Sequence, residues 1–237
     1  PETAALGGNG GKDRGCVEGD GDIVMSGFSV DWLALREPAD RAARNAGLLA
    51  RVAAHFSGRD RLSIVDLGCG AGSNLRAVAP SLSASRQSWI LVDHDPALLA
   101  AARAHIAAWA DQAVDQGEEL LAEKNGKTLS VDFRQADLNS DLGRIAGWRP
   151  DLVTAAALFD LVSEGWIEAF VAALQPQRPP LYAALTYDGR DRMFVIQQEV
   201  NSGAWDYLSV GSANEPVFAA LDRLAGLVQN FSRTGPD

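Results

Sequence analysis

Residues 64–74 read IVDLGCGAGSN, an apolar run that passes directly into Gly68, Gly70 and Gly72. Glycines at this spacing let a chain turn tightly and let its backbone approach a ligand with no Cβ in the way. From Ser73 the pattern is helical, and a helix start offers free N–H groups and a positive dipole end to a polar or anionic ligand. Roughly twenty residues further on, Asp93 closes a second apolar run, Trp89–Val92. An acid at that distance accepts hydrogen bonds from both hydroxyls of a ribose. Loop and acid together predict a site for a nucleoside-containing cofactor. The bland reading, an ordinary Gly-rich turn, leaves the position of Asp93 unexplained.

Spacing also discriminates among cofactors. The dinucleotide fingerprint G-x-G-x-x-G would put its last glycine at position 73, where this chain has Ser73. The order Asp66-x-Gly68-x-Gly70-x-Gly72 instead resembles motif I of class I S-adenosylmethionine-dependent methyltransferases. The likeness extends to Asp93, to Gln135-Ala136-Asp137-Leu138 after a third strand, and to Pro150-Asp151-Leu152-Val153 at a fourth. It implies an α/β, Rossmann-like, doubly wound and mostly parallel sheet with flanking helices. It implies S-adenosylmethionine as cofactor and methyl transfer to an acceptor, read here as a small molecule. Carried over residue by residue, it places Asp66, Gly68, Cys69, Gly70, Gly72 and Asn74 around the methionine part of the cofactor. Asp93 then meets the ribose, and Asp137, with Leu138 beside it, the adenine amino group; His94 either flanks the adenine or is a half-exposed histidine with no site role. Cys69 reads as a small buried filler rather than a nucleophile.

Two further segments, Asp31 to Asp40 and Leu158 to Ser163, with Tyr187-Asp188-Gly189, resemble a bacterial subgroup of methyltransferases, a likeness that brings no substrate with it. The acceptor side is expected beyond the carboxyl ends of the strands, where open α/β sheets bind ligands. Asp160 and Tyr187 are the candidates there for a general base, and Trp32 for a substrate contact; each could equally be a cap or a packing residue. The Asn/Asp-Pro-Pro-aromatic signature of adenine and glutamine amino methyltransferases is replaced by Ala155-Ala156-Ala157-Leu158-Phe159, which counts against those acceptors. Two alternatives of other classes remain: a cofactor-binding protein without activity, and a nicotinamide-dependent oxidoreductase, which lacks its glycine at Ser73.

The elements that must hold these residues alternate. Helix is expected over Ala39 to Phe56 with Pro38 in its first turn, strand over Leu62 to Leu67, and helix from Ser73 to about Ala79. Strand follows over Trp89 to Val92, then a long Ala-rich helix from the Asp95-Pro96 cap to about Gln116. Asn125-Gly126 between Glu119–Lys124 and Lys127–Arg134 signals a hairpin. Strands over Asp151 to Ala157 and Leu181 to Thr186 bracket a helix capped by Ser163 that runs to Leu174, with Trp166 and Phe170 on its core face. Strands alternating with helices predict a parallel, doubly wound sheet.

Four regions are expected: a disordered or non-native tail over 1–24, a helical cap over 25–58, the cofactor domain over 59–190, and an atypical segment over 191–237. In the last, Met193–Ile196 reads as a short strand and Pro216–Phe231 as a helix. The antiparallel strand pair that should close the sheet is expected to be missing or atypical.

The formal net charge is −10, and the basic residues are scattered among acids, which argues against a nucleic-acid surface. Cys16 and Cys69 stand in unlike contexts, which suits a reducing cytoplasm rather than a disulfide framework. No apolar run reaches the ~18–20 residues of a membrane span. No His/Cys/carboxylate cluster has metal-ligand spacing. Oligomeric state is not legible.

Overall fold

The computed structural model describes residues 28–159, 161–185, 193–198 and 205–210. Asp160, Tyr187, the expected 1–24 tail and the helix expected over Pro216–Phe231 lie outside the described residues.

Nine strands among these residues form one sheet, in the order β3-β4-β5-β2-β1-β6-β7-β8-β9. Its centre is five parallel strands: β5 (Lys127–Gln135), β2 (Arg86–Asp93), β1 (Arg61–Leu67), β6 (Leu152–Ala156) and β7 (Leu181–Leu185). In chain order that centre runs third, second, first, fourth, fifth, the strand order of a doubly wound dinucleotide-type sheet. Helices cover both faces, so the central strands carry little polar surface. On one face, Val65, Leu67, Val92 and Val153 pack against Ile145, Trp166, Ile167 and Phe170. On the other, Ile64, Trp89, Leu91 and Val131 pack against Val52, Leu75, Val78 and Ile106. Adjacent residues of β1, Ile64 and Val65, thus face opposite layers, as the pleat requires.

Caps explain most helix boundaries. Asp95 accepts from the Ala97 amide at 2.8 Å and starts α4 (Pro96–Trp109); Ser163 accepts from the Trp166 amide at 3.2 Å and starts α6 (Glu164–Leu174). Trp166 and Phe170 are core residues, their rings stacked at 5.2 Å. The Asn125-Gly126 hairpin joins β4 (Glu119–Lys124) to β5, as its sequence predicts.

Four expectations are corrected. The single helix over Ala39 to Phe56 is two: α1 (Val30–Ala43), capped by Ser29, and α2 (Ala46–His55), capped by Asn45. Pro38 lies inside α1 rather than at its start, because the Ser29 cap begins the helix two turns earlier. The long helix stops at Trp109, and Gln112–Asp115 is β3, an exposed strand paired antiparallel with β4. A short helix, α5 (Leu142–Gly147), follows β5 without having been expected. Last, the closing strand pair is present. β8 (Met193–Gln198) pairs antiparallel with β7, and β9 (Trp205–Val210) with β8. It covers the β7 edge, whose unpaired N–H and C=O groups would otherwise be a template for association. The sequence signal was there: two aromatic and β-branched runs separated by Asn201-Ser202-Gly203.

Candidate cofactor site

β1 and β2 lie in register, with Leu67 opposite Val92, so the glycine turn emerges beside Asp93 at the carboxyl end of the sheet. Three backbone bonds fix the turn: Cys69 N–H donates to Val92 O at 2.9 Å, Gly72 N–H to Cys69 O at 2.9 Å, and Gly70 N–H to Asp93 Oδ2 at 2.9 Å. Gly70 stands at φ +51°, in the left-handed region that side chains resist, and a Cβ there would meet only Leu33 Cδ1 of α1, at 3.3 Å. Gly72, at φ +75°, has a different reason to be glycine. A Cβ would lie 3.1 Å from Ile106 and 3.3 Å from Ala102, so its absence lets the turn pack against α4. Gly72 belongs to the packing of the loop, not to the cavity wall.

The Asp93 carboxylate is almost buried, yet both its oxygens are held: Oδ2 by Gly70 and Oδ1 by the Asp95 amide at 3.0 Å. Each oxygen retains acceptor capacity. His94, about one-third exposed, puts Nδ1 3.2 Å from Asp93 Oδ1, but the pair is not aligned for a hydrogen bond.

Asp66, the acid that opens the motif, is fully buried between β1 and α3 (Ser73–Val78). Its Oδ1 accepts from Asn74 Nδ2 at 2.6 Å and from Thr154 Oγ1 at 2.8 Å; Thr154 is its neighbour on β6. Its Oδ2 has no partner. Burial pushes the carboxyl up to about 6, against the bonds from Asn74 and Thr154 that favour the ionised form. On the far side of the same amide, Arg44 Nη1 donates to Asn74 Oδ1 at 2.8 Å.

A cavity of about 110 Å³ joins these groups. Gly68, Cys69, Gly70, Ser73, Asn74, Asp93 and His94 form one wall, and Phe28, Trp32, Leu33, Arg36 and Arg44 the other. The structure therefore gathers most of the expected site residues. Asp66 sits directly behind Asn74. Cys69 is buried, and burial beside Asp93 and Asp66 raises its thiol, which fits the filler role. Asp137 and Leu138 are not among the lining residues. Asp137 is exposed and accepts from the Asn139 amide in its own turn, while Leu138 is in the core with its carbonyl on Trp166 Nε1. Trp32 lines the cavity, but Phe28 stacks on it at 5.0 Å and the Arg36 guanidinium lies 4.6 Å from its centroid. These neighbours lie about one turn before and after it, and Trp32 remains exposed.

Sequence reasoning missed Arg44 and the part of α1 before Ala39. The signal available was Ser29, three residues before Trp32, with Asp31 in the first turn.

No family model and no curated protein matches the chain. Solved structures similar to it include the plantazolicin methyltransferase BpumL, solved with a desmethyl analogue and S-adenosylhomocysteine, at 14% identity and TM-score 0.41 over 81% of this chain and 60% of that one. Magnesium protoporphyrin IX methyltransferase from Synechocystis is 14% identical at TM-score 0.42, over 68% of this chain and 61% of that one. CalS10, an amino pentose methyltransferase from Micromonospora echinaspora, is 17% identical at TM-score 0.42, over 83% and 88%. The chain spans about 60% of the length of the first two.

Proposed function

We propose that this chain binds S-adenosylmethionine at the Gly68–Asn74 turn and transfers its methyl group to a small-molecule acceptor. One observation carries the reading: a turn pinned to an almost buried carboxylate, Asp93, beside a buried Asp66 whose Oδ2 lacks a donor. Such an orphan is costly unless a ligand or a proton satisfies it. In this reading Asp93 accepts the ribose hydroxyls, His94 stands beside the adenine, and Gly68 to Asn74 hold the methionine part.

The bound cofactor would supply an already activated methyl on a sulfonium. The residues of this chain have the remaining work, which is to hold the acceptor in line with that carbon and to exclude water. α1 fits the second task, since Leu33 and Trp32 close the cavity over the turn. The net charge of −10 suits a small acceptor better than a nucleic acid.

Incubation of the full chain with methyl-labelled S-adenosylmethionine and a small-molecule extract tests transfer. Label should move to a low-molecular-weight product and fail to move with Asp93→Ala. Equal transfer by both chains would break the link between the site and the activity.

A further inference from the structure

We infer that Arg76 is a positioning residue that ties the glycine turn to α1, so that movement of α1 loosens the turn and hastens release of the ligand held there. The ligand half of the inference rests on the cofactor reading above; the link between helix and turn does not.

Arg76 stands in α3, one turn beyond Gly72, with its side chain only 5% exposed. A guanidinium taken out of water needs both hydrogen bonds and a counter-charge. Its bonds run in two directions. Nη1 donates to the Ala71 carbonyl at 2.9 Å, and Nη2 to Glu37 Oε2 at 2.5 Å. The carbonyl is neutral, so the counter-charge is Glu37. Glu37 belongs to α1, none of whose residues is buried. Its other ion-pair partner, Arg41, lies on α1 itself, so the pair with Arg76 is the one that leaves the helix. A buried cation of one element is thus neutralised from an element that has little else to hold it.

The Ala71 carbonyl is part of the frame of the turn. Its peptide is held at both ends: the oxygen by Arg76, and the following N–H, that of Gly72, by Cys69 O at 2.9 Å. Gly72 has no Cβ to restrain that peptide, so the two bonds set its plane. Ala71 and Glu37 both line the cavity. When α1 lifts, Glu37 goes with it and Arg76 keeps only a neutral partner. An uncompensated buried guanidinium is drawn toward water, and in following that pull it lets go of the Ala71 oxygen. The turn then loses one of the bonds that shape it. Helix position and turn geometry are coupled through one side chain.

A pair that served stability alone would lower the melting temperature and leave the turn unchanged below it. Glu37→Gln separates the two roles, because it removes the counter-charge, keeps the size and is made on α1 rather than in the turn. Amide exchange of the full chain without ligand, read at Gly72, should accelerate by about tenfold over wild type, while thermal melts show the fold retained. Release of S-adenosylhomocysteine, followed by stopped flow, should quicken by a similar factor. Arg76→Met should quicken it at least as much, and Glu37→Gln with Arg76→Met should release no faster than Arg76→Met alone, since both break one pair. Unchanged Gly72 exchange in Glu37→Gln overturns the coupling whatever the ligand, and decides alone should Arg76→Met fail to fold. Effects on release that multiply in the double variant overturn it too, because the residues would then act independently. Accelerated Gly72 exchange in a chain that does not bind S-adenosylhomocysteine upholds the coupling and overturns the cofactor reading.

Discussion

At the scale of single residues, the two acids of the site do different work. Asp93 carries the turn as well as facing the cavity, because Gly70 hangs on its Oδ2. Asp93→Ala therefore removes both the proposed ribose acceptor and the clamp. It should weaken S-adenosylhomocysteine binding by about 1–3 kcal/mol, measured by titration calorimetry; unchanged affinity would take Asp93 out of the site. Asp66 is held in reserve, with one oxygen spent and one orphaned. Its carboxyl is raised from its ordinary 3.8 to about 6 by burial. The folded chain therefore holds a proton that the unfolded chain releases between those values. The stability linked to that proton is full below about pH 4 and is lost as pH rises through about 6. The wild-type minus Asp66→Asn difference in unfolding free energy should decline over that window and flatten above it, by denaturant melts at each pH. A difference independent of pH would mean that Asp66 titrates normally. Motif spacing made both acids legible, since it is local in the chain. Arg44 was not legible, because its meaning depends on Asn74, thirty residues away in sequence.

At the scale of elements, α1 stands apart. None of its residues is buried, and its ties to the rest are polar: Glu37 to Arg76, with Arg44 just beyond its end bonded to Asn74. Leu33 nevertheless rests over Gly70, and the cavity beneath is about 110 Å³, below the roughly 300–1,000 Å³ of most ligand pockets. A helix held by so little apolar contact opens at low cost. Cofactor binding should therefore alter α1, and amide exchange across Val30–Ala43 should differ with and without S-adenosylhomocysteine. Identical exchange in the two states would show that the cavity admits its ligand without α1 moving. Pro38 hid this element. A proline reads as a helix start from sequence, and only the Ser29 cap and tertiary ties explain a helix that runs through it. β3 was hidden likewise, since Gln112–Asp115 has no apolar alternation and is strand only because β4 lies beside it.

At the scale of the whole molecule, the parallel centre was legible because each strand and helix announces itself by period and cap. The sheet's edges were not, since an edge strand is stabilised by pairing more than by burial, and pairing leaves little trace in composition. The packing reason for Gly72 was not legible either: its glycine answers to Ile106 and Ala102 across the fold, which no local reading contains. What unites the scales is one claim, that the carboxyl ends of β1 and β2 form a receptor for a sulfonium nucleoside with an amino-acid tail rather than for a dinucleotide. The most direct measurement is calorimetric titration of the wild-type chain with S-adenosylhomocysteine and, separately, with NAD. Saturable one-site binding of S-adenosylhomocysteine is expected, with no heat from NAD. Saturable binding of NAD with none of S-adenosylhomocysteine would contradict it.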